Sequence, residues 1–92
     1  MTVLLNGITA DAESSPVSAT GPILLSVLGN TQSGVIKVAA NIGSGYATAW
    51  KKTKEDGVGF VRLSFSTGVT FKVQATGLQP GDNITVEYIY TD

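Results

Sequence analysis

The chain has 92 residues, no cysteine, no histidine and a formal net charge of −1. That length fits one domain, and the missing residue types remove disulfides and the usual zinc, copper or haem ligand sets. Charged residues make up only 14 %, against roughly 25 % in an ordinary soluble domain, so a polyelectrolyte surface for nucleic acid is not expected.

A domain this small buries only roughly 60–65 % of the surface its unfolded chain exposes. With neither a disulfide nor a metal to help, self-association or docking on a partner is the stabilising factor to expect.

The chain opens with a strand expected over Thr2 to Thr9, in which Asn6-Gly7 is either a tight hairpin turn or a bulge. This start lacks a basic region followed by a long apolar one, so synthesis in a cytosol is expected, with the product kept there or released by lysis. Ile23-Leu24-Leu25-Ser26-Val27-Leu28 is the most apolar run. It falls far short of the roughly 18–20 residues that cross a bilayer, so it reads as a strand and no membrane partner is expected. Ile36, Val38, Ala40 and Ile42 then alternate with Val35, Lys37, Ala39 and Asn41, and Ala47 to Lys52 centres on the single tryptophan, Trp50.

The second half alternates more cleanly. Val61, Leu63 and Phe65 oppose Phe60, Arg62 and Ser64. Val69, Phe71, Val73 and Ala75 oppose Thr70, Lys72, Gln74 and Thr76. Ile84, Val86, Tyr88 and Tyr90 oppose Thr85, Glu87 and Ile89. Period-two spacing of this kind builds half-buried strands. Turn residues punctuate it at Pro16, Gly21-Pro22, Gly29-Asn30, Gly43-Ser44-Gly45, Glu55-Asp56-Gly57, Ser66-Thr67-Gly68 and Gly77 to Asn83. The pattern predicts a single all-β domain over residues 1–92, an antiparallel β-sandwich of seven or eight short strands, immunoglobulin-like or jelly-roll-like. Residues 1–8 are either its first strand or an arm that completes a neighbour's sheet.

Chemistry has little to work with. Acid–base and nucleophilic catalysis usually need a base tuned near neutrality, and histidine is missing. The acids Asp11, Glu13, Glu55, Asp56, Asp82, Glu87 and Asp92 fall mostly in expected turns or at the terminus, where carboxylates meet water. Neither Glu55-Asp56 nor Asp82-Asn83 has the spacing of a calcium loop, and Pro80-Gly81-Asp82-Asn83 reads as a turn. Gly43-Ser44-Gly45 has no Lys-Ser/Thr and no helix behind it, so it reads as a hairpin tip rather than a phosphate loop. No enzyme, cofactor or metal is expected.

The expected work is adhesion. Candidate contact residues are Val3, Leu4 and Leu5 of the arm, Tyr46 beside the hairpin tip, Trp50, Lys51 and Lys52 of a Lys51 to Asp56 loop, and Phe60 and Ile89. The last two are apolar among polar neighbours on outward faces. Trp50 is either a core tryptophan, the favoured reading, or with Tyr46 a stacking platform for a glycan.

Read whole, the chain resembles the short, cysteine-free β-sandwich virion proteins of tailed bacteriophages, above all head decoration (cement) proteins. The likeness lies in the Val3-Leu4-Leu5 start, Gly21-Pro22 opening an apolar strand, Phe60-Val61-Arg62-Leu63, and the closing Ile84-Thr85-Val86-Glu87-Tyr88-Ile89-Tyr90. It implies an oligomer, often a trimer, seated in the virion on the major capsid protein or other subunits and bracing the shell. A tail, collar or fibre component, or a carbohydrate-binding or host-adhesion module, are the alternatives. Gly77-Leu78-Gln79-Pro80-Gly81 is also similar to the turn before the sixth strand of fibronectin type III domains, although Ile84 stands near the place of that family's tyrosine.

Overall fold

The structure, a computed structural model, describes residues 2–91, and for residues 54–58 the backbone only. Seven strands follow in order: β1 (Thr2–Ile8), β2 (Ala12–Glu13), β3 (Val17–Ser18), β4 (Ile23–Asn41), β5 (Tyr46–Leu63), β6 (Thr70–Thr76) and β7 (Asn83–Tyr90). All pairings are antiparallel, and the described residues contain no helix. The all-β sandwich is therefore as expected, but two of its strands are long rather than short.

Those two strands organise everything else. One edge of β4 pairs with β5, while its other edge pairs with β7 over Ile23 to Asn30 and then with β6 over Val35 to Asn41. One continuous sheet is thereby folded into two layers. Layer 1 runs β1, β7, the first half of β4 and the second half of β5. Layer 2 runs β2 and β3, then β6, the second half of β4 and the first half of β5. The layers face each other, since the Phe71 ring of β6 meets the Tyr88 ring of β7 edge to face, with centroids 5.4 Å apart.

The expected turn at Gly29-Asn30 is not a turn. Both residues stay in the ladder, opposite Ile84 and Asn83, and the expected break at Glu55-Asp56-Gly57 falls inside β5. The corner comes later, at Gln32-Ser33-Gly34, where β4 advances four residues from Thr31 to Val35 while β5 advances two from Glu55 to Thr53. The irregularity changes the parity of β4, so Val27 before it and Ile36 after it both point inward. Thr31 locks the corner. Its hydroxyl donates to Asp82 Oδ2 (2.6 Å) and accepts the Gly34 N–H (2.9 Å), while Ser33 Oγ donates to the Gly77 carbonyl (2.9 Å). The Gly77 to Asp82 loop thus packs on the corner, and Asp82 also accepts the Gln79 N–H (2.8 Å), as a turn-forming aspartate does.

A second irregularity lies between Val38 and Ala39, where Ala49 is the extra residue on β5. Beyond it, Ile42 stands 83 % exposed at the hairpin tip, not inward as alternation suggested. Residues 42–45 close that tip, with Asn41 Oδ1 accepting the Gly43 and Gly45 N–H groups (2.7 and 3.3 Å). Asn6-Gly7 proves to be a bulge within β1: both residues fall between the Leu5–Val86 and Ile8–Ile84 pairs, with Gly7 at φ 58°.

The core lies between the layers. Layer 1 contributes Leu5, Ile23, Leu25, Val27, Leu63, Ile84, Val86 and Tyr88; layer 2 contributes Ile36, Val38, Phe71, Val73 and Ala75. An aromatic run, Phe65–Phe71–Tyr88–Tyr90, leads from it to the surface with centroid separations of 4.9, 5.4 and 5.6 Å, Tyr90 lying exposed rather than inward as alternation suggested. At the β2/β3 edge, Ser14 bridges two short strands. Its N–H donates to the Val73 carbonyl (2.8 Å) and its Oγ accepts the Val73 N–H (2.9 Å), so the ladder on β6 continues through a buried serine.

Candidate interaction surface

Alternation that buries one face of layer 1 must expose the other, and here the outer set mixes apolar residues with Ser26, Arg62, Thr85 and Glu87. Leu24, Ser26 and Leu28 point outward between the core residues of β4, and Leu24 stands opposite Ile89 while Ser26 stands opposite Glu87 and Phe60. Val3, on the far side of Glu87, extends the row. Phe60 is 66 % exposed, Val3 48 % and Ile89 44 %. Leu24, Leu28, Phe60 and Ile89, with Ser26 and Glu87 among them, line a shallow groove of about 180 Å³. Isolated exposed apolar residues are ordinary, but an apolar groove shared by β4, β5 and β7 is the kind of patch that partners cover.

The expected contact residues separate on this frame. Val3, Phe60 and Ile89 are brought together on the outer face of layer 1. Leu24 and Leu28 join them, missed because a nearly unbroken apolar run gives no phase from which to tell inside from outside. Leu5 is different: at 5 % exposure it belongs to the core, and a contact role for it is corrected accordingly. Leu4, the residue at the first β1 irregularity, is partly buried against the same core. The Thr2 to Asn6 stretch pairs with β7 of its own chain.

Tyr46 and Trp50 do not meet. Trp50 lies opposite Val38 and packs, half-buried, against the core, whereas Tyr46 is on the outer face of layer 2 with the Lys72 ammonium 4.3 Å from its ring centroid. The extra residue Ala49 sits between them and turns them to opposite faces. Lys51 and Lys52 are strand residues opposite Lys37 and Ile36, not loop residues. The remainder of the expected loop, the side chains of Lys54, Glu55 and Asp56, lies outside the described residues, as does a cation site at Glu55-Asp56.

The outer face of layer 2 is polar. One row crosses it in register: Glu13 of β2, Gln74 of β6, Lys37 of β4 and Lys51 of β5. Lys72 forms an ion pair with Glu13, and that hydrogen bond holds the Glu13 carboxyl below the usual glutamate range. Gln74 Nε2 also donates to Glu13, at 3.4 Å. Among the described residues no group of three or more acids gathers to hold a metal ion.

Fold and surface define a small antiparallel β-sandwich whose outer face on layer 1 carries an apolar groove beside Arg62 and Glu87, and whose outer face on layer 2, among the described side chains, is polar with more lysines than acids. No family model, curated protein or solved structure matches this chain.

Proposed function

We propose that this chain is a non-enzymatic structural subunit of a virion, a capsid decoration protein that docks on capsid subunits through the outer face of layer 1. The observation that carries the reading is the groove lined by Leu24, Leu28, Phe60 and Ile89, with Val3 beyond Glu87, on an outer face where Phe60 and Ile89 stand exposed beside the charges of Arg62 and Glu87. Covering it contributes about 25 cal/mol for each Å² of apolar surface removed from water. For a 92-residue chain without disulfides, that is a large addition to a small core. The same reading is what the sequence resemblance to phage head decoration proteins implies. The glycan alternative is weakened by the placement of Tyr46 and Trp50 on opposite faces.

The test is co-sedimentation with capsids that lack this protein, alongside the mass of the free protein in solution. The expected result is saturable binding that F60D and I89D each abolish. Wild-type protein that stays in the supernatant at every concentration overturns the proposal.

A further inference from the structure

Lys37 and Lys51 stand directly opposite one another on the outer face of layer 2. Like charges at directly paired positions have Cβ atoms about 4.5–5.5 Å apart and destabilise the sheet. Such a pair invites a counter-charge, yet the described side chains of this face supply none that is free. The charged groups described on it are Lys37, Lys51, Lys72 and Glu13, and Glu13 is already taken up by Lys72 and Gln74. No ion pair or hydrogen bond engages the ammonium of Lys37 or Lys51 among the described residues. The two lysines, with Thr48, Gln74, Thr76 and Val35, line an open groove. Two ammonium groups, two hydroxyls and an amide surround it, and the only apolar side chain in the lining is Val35. That is a donor-rich set with a formal charge of +2 and no acceptor carboxylate of its own.

We infer that this groove is a binding site for a tetrahedral oxyanion of the phosphate or sulfate class, seated between Lys37 and Lys51. The anion supplies the charge that the cross-strand pair lacks, and it takes hydrogen bonds from the ammonium groups and from the Thr48 and Thr76 hydroxyls. Being on the opposite layer, the site is independent of the docking face proposed above. Its occupant is either the free ion or an esterified phosphate, since both present the same oxygens.

The test is a titration of the full-length protein with inorganic phosphate at constant ionic strength, with chloride as the balancing anion and backbone and lysine side-chain NMR signals followed by residue. A second arm uses phenyl phosphate as a monoester. The expected result is saturable shifts confined to Val35, Lys37, Thr48, Lys51, Gln74 and Thr76, with at least tenfold weaker binding in K37Q and in K51Q and unchanged binding in R62Q, which alters a charge on the other layer. Tighter binding of the monoester identifies an esterified ligand; equal or weaker binding identifies the free ion. K51E provides a folded control: it replaces the repulsive pair with an attractive one, melts higher than wild type in phosphate-free low-salt buffer, and no longer responds to phosphate. Shifts that never saturate, shifts that spread over all cationic residues, equal responses in K37Q, K51Q and wild type, or an equal response to acetate overturn the site.

Discussion

The carbonyl oxygen of Asn83 lies 1.9 Å from the point where a side chain on Gly29 would begin. Gly29 is held there at φ 126° by pairing with Ile84, in the middle of a strand and immediately before the corner that folds the sheet. The two chains of the ladder can approach this closely only because position 29 has no Cβ.

Substituting Gly29 by alanine therefore forces β4 away from β7 as well as imposing an unfavourable backbone angle. The expected loss is more than about 3 kcal/mol, enough to leave much of a small domain unfolded. Urea denaturation followed by far-ultraviolet circular dichroism measures it. A midpoint within error of wild type shows that the approach is not needed.

Ser14 makes a different kind of prediction. Ser14→Ala keeps the backbone bond to the Val73 carbonyl but removes the acceptor for the Val73 N–H, which is buried. Leaving such a donor unsatisfied costs about 1–3 kcal/mol. The same denaturation experiment tests it, and amide exchange at Val73 should accelerate more than at Phe71 or Ala75.

The corner carries a pH dependence. Hydrogen bonds from the Gln79 N–H first, and from the Thr31 hydroxyl second, hold the Asp82 carboxyl below the usual aspartate range. A carboxylate depressed in the folded state adds stability above its unfolded value, near pH 4, and the contribution is lost as pH falls through the lower folded value. Wild-type stability should therefore drop below about pH 4, and D82N, which lacks the titration, should show a smaller drop. Parallel acid limbs for the two proteins would remove Asp82 from the account.

Phe60→Asp and Ile89→Asp act on the proposed docking face and spare the core, because both side chains are exposed. Each should change stability by about 1 kcal/mol or less while abolishing capsid co-sedimentation. A core substitution such as Val86→Ala, at a fully buried position, should do the reverse: a loss of about 1–3 kcal/mol with binding retained by the folded fraction. If F60D unfolds the protein, the ring is part of the core and the face is misassigned.

Much of this fold is legible in the sequence. From Gly59 onward most of the inward set is what alternation indicates, because Val73 with its neighbours and Ile84 with Val86 sit in strands without irregularities between them; Tyr90, expected inward, is exposed at the end of β7. The Gly43 tip, the Asp82 turn and the bulge option at Asn6-Gly7 also follow from local backbone chemistry. Outward placement of Phe60 and Ile89 was readable for the same reason: a period of two assigns faces wherever polar and apolar residues alternate, which the run Val3-Leu4-Leu5 does not do.

Long-range pairing decided the rest. Gly29-Asn30 has the composition of a turn, yet β7 lies alongside and takes up its backbone groups, so the strand continues and bends three residues later. Composition within β4 could not reveal that, since the deciding partner is more than 50 positions away. Nor could sequence spacing reveal that one extra residue at Ala49 would set Tyr46 and Trp50 on opposite faces, or that Lys37 would oppose Lys51. Local alternation determines which side chains share a face only as far as a strand runs without a bulge; the register between strands determines where the bulges fall and which side chains become neighbours, because it depends on hydrogen bonds closed across the whole fold.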